Sequence, residues 1–173
     1  MASRAPLSLK ARAIGLLAQR EHSRAELRRK LLRIERQQRE RLDADRAAGG
    51  GEAAAALPDN DGEDVADTVD ALLETLAAAG YLNETRFVES RLHLRAGRFG
   101  AQRIQQELAQ HGLRLDADQQ AKLRETELER AREVWLKRFG AEPSREAAEL
   151  ARQTRFLLAR GFAPEVVRRL LRA

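Results

Sequence analysis

The stretch Arg20-Glu21-His22-Ser23-Arg24-Ala25-Glu26-Leu27 decides the fold, because it recurs twice in altered form. The second copy is Arg98-Phe99-Gly100-Ala101-Gln102-Arg103-Ile104, and the third is Arg160-Gly161-Phe162-Ala163-Pro164-Glu165-Val166-Val167. In each a helix ends, a planar ring follows (His22, Phe99, Phe162), then a small residue (Ser23, Gly100, Ala163), and a new helix begins. Four residues after the small one stands an aliphatic residue (Leu27, Ile104, Val167), and four further on a leucine (Leu31, Leu108, Leu171). This spacing is that of a hydrophobic staple, in which the residue before the cap packs on the fourth helical residue. Ser23 with Glu26 fits a capping box, and Pro164 takes the first helical position, where its missing N–H costs nothing. Repetition of this kind marks a repeat protein. The copies lie 77 and then 63 residues apart, so the units are divergent and carry insertions.

Composition agrees with that reading. The 173 residues are only 4% aromatic but 34% charged. That is thin for a sphere and comfortable for an elongated array in which each unit touches its neighbours. Cysteine is absent, which excludes disulfides and thiolate metal sites. No apolar run approaches the roughly 18 residues of a transmembrane helix. Met1 to Leu17 mixes basic and apolar residues, but Lys10 and Arg12 interrupt it and no small-residue cleavage pattern follows. It reads as the first helix of a cytoplasmic protein.

Charge is segregated along the chain. Residues 1–41 hold 12 Lys/Arg against 4 Asp/Glu, residues 42–85 hold 1 against 11, and residues 86–173 hold 19 against 12. Two basic arms thus flank an acidic middle. Of the 32 basic residues 28 are arginine, whose fork binds phosphate and carboxylate bidentately. Such arms suit nucleic acid or an acidic protein groove. A GC-rich genome would explain the arginine preference, though not the segregation.

Almost everything reads as helix. Ala13 to Gln19 forms a first short helix, and Ser23 opens a second with Leu27, Leu31 and Ile34 on one stripe and Arg29, Arg33 and Arg36 opposite. The stretch at about 42–62, rich in Ala, Gly and acidic residues, reads as a flexible insertion. Val65, Val69, Leu72 and Leu76 mark the next helix, closed by Gly80. Asn83 is a plausible N-cap for a helix ending at Gly97, and the element at 98–104 starts another that closes at Gly112. A longer helix is expected at about 116–139, stopping at Gly140. Pro143-Ser144 opens one ending at Gly161, and the last carries Val167, Leu170 and Leu171. No segment sustains strand alternation. The expected fold is all-α, with about eight to nine helices in three units: 1–80 (interrupted by the insertion), 81–140 and 141–173.

Four motifs taken in order resemble the RecX family: Arg-x-His-Ser-x-x-Glu-Leu-x-x-Lys-Leu at 20–31, Gly-Tyr-Leu-Asn-x-x-Arg-Phe at 80–87, Gly-x-x-Gly-x-x-Arg-Ile-x-x-Glu-Leu at 97–108 and Arg-Gly-Phe at 160–162. The resemblance covers nearly the whole chain apart from 42–62. It implies tandem three-helix repeats and a regulator that binds the RecA recombinase and its nucleoprotein filament on DNA, limiting filament growth, ATPase and strand exchange. Ala101 stands where the family often has proline.

No catalytic constellation appears. His22, His93 and His111 are scattered, and His22 takes a position that Phe99 and Phe162 fill in the other copies, so it reads as a staple residue. Asp59-Asn60-Asp61-Gly62 is not a calcium loop, because the first and twelfth positions would be Leu57 and Thr68. Walker and Gly-rich phosphate loops are absent. The chain is therefore expected to be no enzyme, with no cofactor, metal, small-molecule substrate or membrane partner. An autonomous helix-turn-helix DNA-binding protein is the alternative, since Phe99-Gly100 between short helices resembles such a turn. A helical scaffold for some other partner is a third.

The arginines beside the repeated turns are the candidate contacts to partner protein and to DNA phosphates: Arg86, Arg95, Arg98, Arg103, Arg155 and Arg160, with Arg29, Arg33 and Arg36 next. The plain alternative for each is a solvated charge on an exposed helix face.

Overall fold

The computed structural model describes residues 7–48, 61–140 and 146–172, and nine helices account for most of them. They are α1 (Leu9–Gln19), α2 (Arg24–Ala48), α3 (Asp61–Ala78), α4 (Glu84–Ala96), α5 (Ala101–Ala109), α6 (Ala117–Glu125), α7 (Glu127–Phe139), α8 (Ala147–Ala159) and α9 (Pro164–Arg172). No strand occurs among the described residues, in keeping with the all-α expectation. The chain forms two compact units, Met1–Glu84 and Thr85–Ala173.

In the first unit α1 starts earlier than Ala13, because Ser8 caps it: the Ser8 hydroxyl accepts from the Ala11 amide at 3.2 Å. Ser23 opens α2 in the same way, its Oγ accepting from the Glu26 amide at 3.1 Å. The apolar stripes of α2 and α3 then meet. Leu27, Leu31, Val69, Leu73 and Leu76 are all but fully buried in one core with Ala13 and Leu82. Burying leucines of this kind stabilises by about 1.5–3 kcal/mol each. Outside the core the Arg28 fork donates to both Asp70 oxygens, at 2.7 and 2.9 Å, and Arg24 pairs with Glu74 at 2.8 Å. The flexible insertion expected at 42–62 needs a correction at both ends. Residues 42–48 continue α2 and Asp61 already belongs to α3, because the Leu-Asp-Ala-Asp-Arg-Ala-Ala run is helix-compatible despite lacking an apolar stripe. The rest of the insertion, and with it Asp59-Asn60, lies outside the described residues.

The second unit holds two cores. Phe87, Val88, Ile104, Leu108, Leu115 and Leu123 form one from α4, α5, α6 and the α5–α6 turn. Ala131, Val134, Trp135, Leu157, Phe162, Val167 and Leu170 form the other from α7, α8, the turn after it and α9. The Trp135 indole N–H donates to Gln153 at 3.0 Å, which satisfies both buried polar groups. The single helix expected at 116–139 is instead two helices broken at Thr126, which closes α6 and opens α7. Trp135 and its helix, read with the second repeat from sequence, pack in the core of α8 and α9. Apolar periodicity runs through the break without interruption, so the pattern alone does not reveal it. Asp116 and Gln119 form a reciprocal capping box at the start of α6, at 2.7 and 3.1 Å.

Candidate partner interface

Two of the repeated turns, at 98–104 and 160–167, pack directly on each other. The Gly100 amide donates to the Arg160 carbonyl at 2.9 Å, and the Gln102 amide to the Gly161 carbonyl at 3.2 Å. Both glycines are there because of this approach. A Cβ on Gly100 would collide with the backbone of Gly161 and Phe162. Gly161 has φ +79°, and a Cβ there would meet the Arg103 amide and Cβ at 2.5 Å.

A pair on α7 then satisfies the helix ends that converge here. Buried Glu127 accepts through Oε1 from the Ala101 amide at 3.0 Å and the Ala163 amide at 3.3 Å, at the starts of α5 and α9. The alanine at 101 keeps a donor that proline would lack. One turn along, Arg130 donates to the carbonyls of Ala96 (2.9 Å), Phe99 (2.8 Å) and Leu123 (2.7 Å), at the ends of α4 and α6 and in the turn between α4 and α5. The anion thus sits at helix N-termini and the cation at C-termini, matching the helix dipoles and the orphan backbone groups. Burial pulls the Arg130 pKa below its ordinary value, against the opposing pull of Glu127. Neither residue stood out in the sequence. Only the Glu-x-x-Arg spacing was available there, and it is common on any helix.

This arrangement positions the arginines of the second unit. Arg95 on α4 and Arg103 on α5 share Glu107, with Arg95 Nε 2.9 Å and Arg103 Nε 3.7 Å from its oxygens. Arg91, one turn before Arg95, stacks over the Phe87 ring at 5.2 Å, and Arg95 over Phe99 at 5.2 Å. Together Arg91, Arg95, Arg103, Gln106, Gln110 and His111 line a cleft of about 300 Å³, with Glu107 inside it. Three guanidinium groups, one imidazole and two amides against a single carboxylate make this a site for an anion, with amide hydrogen bonds available to its oxygens. Arg91 was missed from sequence, although its i, i+4 relation to Arg95 puts both on one face.

The other candidates are dispersed. Arg86 is exposed and lies about 180° round α4 from Arg95. Arg98 is exposed in the turn, next to Phe99. Arg155 is exposed on α8, and Arg160 stacks on Phe156 with its guanidinium carbon 3.9 Å from the ring centroid. Arg29, Arg33 and Arg36 are exposed on α2 in the first unit. The first turn of α5, by contrast, is covered: Gly100 and Ala101 are buried against the second turn. Among the described residues no three His, Cys, Asp or Glu side chains stand together as metal ligands, and no helix is long and apolar enough to cross a membrane.

His22, the ring residue of the first copy, is buried with Nδ1 2.9 Å from the Arg20 carbonyl and Nε2 2.9 Å from Lys30 Nζ. Desolvation lowers its pKa most, helped by the charges of Arg20 and Lys30 and opposed by the Arg20 carbonyl and Glu26. Burial alone would raise the Glu26 carboxyl, but hydrogen bonds and charge from Arg20, with His22 and Lys30 adding, hold it below the ordinary carboxylate range.

Helix-pair units joined through glycine turns, with an arginine-lined cleft and no catalytic grouping on the described surface, define a class of helical-repeat interaction protein. Residues 125–171 match the family model for the third three-helix domain of RecX. A protein of Leptothrix cholodnii called Regulatory protein RecX is 46% identical, over 99% of this chain and 93% of its own length. Proteins of the same name from Ralstonia nicotianae and Chromobacterium violaceum are 44% and 36% identical, over 97% and 95% of this chain and 89% of their own lengths in both cases. The chain belongs to the RecX family.

Proposed function

We propose that this protein binds the RecA recombinase filament on DNA in the cytoplasm and restrains its growth, ATPase and strand exchange, without chemistry of its own. Whole-length membership of the RecX family is the observation that carries this reading. In it the chain comprises three three-helix repeats, α1–α3, α4–α6 and α7–α9. The cleft of Arg91, Arg95 and Arg103 receives DNA phosphates non-specifically, with Arg86, Arg98, Arg155 and Arg160 around it and Arg29, Arg33 and Arg36 on the first unit as further contacts. Its size and polarity suit a phosphate group, and arginine forks supply the bidentate donors. The helix-turn-helix alternative asks the first turn of α5 to enter a DNA groove. The burial of Gly100 and Ala101 against the neighbouring turn speaks against that.

Recombinase ATPase on single-stranded DNA tests the reading. Loss of ATPase at substoichiometric protein is expected, with no nucleotide turnover by the protein alone. Undiminished ATPase at excess protein would overturn it.

A further inference from the structure

The repeated turn aligns α8–α9 with α1–α2 at a constant offset of 140 residues: Phe162 falls on His22, Val167 on Leu27, Arg168 on Arg28 and Leu171 on Leu31. In the first unit α3 occupies the face of α2 that carries these residues. Val69, Leu73 and Leu76 share a core with Leu27 and Leu31, while Asp70 takes the Arg28 fork. Leu31 is fully buried as a result. The matching leucine of α5, Leu108, is likewise buried in one core with Leu115 and Leu123.

The third copy differs. Leu171 is only half-buried, and it lines an open groove of about 290 Å³ with Leu150, Thr154, Leu158, Val167 and Arg168. Leu158 remains 40% exposed on its flank. The α7 helix does not fill the groove, because it meets α9 on the neighbouring face, through Val166, Val167 and Leu170. Arg168 and Arg172, both exposed, line the groove and make no ion pair among the described residues.

We infer that this groove docks an acidic amphipathic helix of a partner protein, seated on α9 as α3 is seated on α2. The leucines form the apolar floor for its i, i+4, i+7 residues, and Arg168 takes a carboxylate as Arg28 takes Asp70. Charge complementarity selects the occupant: a basic rim beside an apolar floor favours an acidic amphipathic helix and disfavours a basic one. The inference does not rest on the recombinase reading, since it concerns α8–α9 and not the arginine cleft.

The probe is the protein's own α3 sequence as a fluorescein-labelled peptide, Asp64–Ala78, titrated with the full-length chain and followed by anisotropy. Saturable binding is expected to weaken about tenfold or more in Arg168→Glu and in Leu158→Glu, both exposed positions whose folding circular dichroism verifies. A peptide carrying Asp70→Arg should recover binding to Arg168→Glu, and Arg28→Glu should leave the parent affinity in place. Four results would overturn the inference. They are no saturation at high micromolar protein, equal binding of a scrambled peptide, dependence on Arg28 in place of Arg168 (which means displacement of α3), and sedimentation showing groove-dependent self-association (which assigns the face to a second copy). Filament ATPase assays are unaffected by any of these outcomes, so the two readings fail separately.

Discussion

The amide of Gly100 donates to the carbonyl of Arg160 at 2.9 Å, so two copies of one sequence element, sixty residues apart, meet back to back. The contact leaves no room for a Cβ on Gly100, and α7 threads beside it to satisfy four helix ends with Glu127 and Arg130. The second and third cores are therefore joined by backbone, and the arginines on α4 and α5 hold their positions relative to α8 and α9. A stiff mount of this kind is what a cleft for a backbone phosphate needs.

Removing the carboxylate at the joint should be costly. Glu127→Ala leaves two helix-start amides unsatisfied and Arg130 without its opposing charge, for a loss of about 3–5 kcal/mol. Glu127→Gln keeps an acceptor and should lose less than half of that. Urea unfolding monitored by Trp135 fluorescence, which reports on the adjacent core, measures both. Equal losses in the two variants would mean that charge rather than hydrogen bonding holds the joint.

The glycines should resist the smallest possible change. Gly161→Ala combines a left-handed φ with a Cβ pressed on Arg103, and Gly100→Ala drives a methyl into the backbone of the facing turn. Each is expected to destabilise by about 2–4 kcal/mol. Gly97→Ala, which meets nothing within 4 Å, is the control and should change the melting temperature little. A Gly100→Ala protein as stable as the parent would show that the turns separate readily.

Phosphate contact by the cleft should appear in salt dependence. The double variant Arg91→Ala, Arg103→Ala removes two cations but keeps both Cβ atoms, including the one packed on Gly161. Affinity for single-stranded DNA, alone or within the filament, should fall, and the slope of log affinity against log salt should flatten by about 1.4 for two lost phosphates. Lysine at both positions should restore most of the slope and less of the affinity. A slope unchanged in the alanine variant would move the contact to another face, with Arg29, Arg33 and Arg36 next.

His22 makes the first unit sensitive to mild acid. Neutral imidazole meets both of its neighbours when Nδ1–H donates to the Arg20 carbonyl and Nε2 accepts from Lys30, whereas imidazolium would oppose the Lys30 ammonium. Its pKa is lowered in the folded chain, chiefly by burial. The stability it contributes is therefore complete above the unfolded value near 6.5 and is lost as pH falls through the folded value. Thermal unfolding of the parent should shift downward between about pH 7.5 and about pH 5.5, a window in which Glu26 stays ionised. His22→Phe, which installs the ring found in the other two copies, should flatten that dependence. A parallel decline in both proteins would assign it to other groups.

Local chemistry was enough to announce the fold. Ring, small residue and i+4 aliphatic mark three helix starts, and the stripes of Leu27 and Leu31 or Ile104 and Leu108 follow from the helical period, so the all-α reading and the buried staple positions were legible from sequence alone. The four motifs in order also carried the family. What sequence could not decide were relations between residues distant along the chain. The break at Thr126 interrupts no apolar period, and the helix ends that Glu127 and Arg130 satisfy lie up to 36 residues away. Equal candidates by sequence, Arg95 and Arg86 ended on opposite sides of α4, and Arg91 joined the cleft because α5 packs against that face. Hydrophobic spacing is a property of one helix; which helix ends share a carboxylate, and which grooves stay open as beside Leu171, are settled only when the helices close on one another.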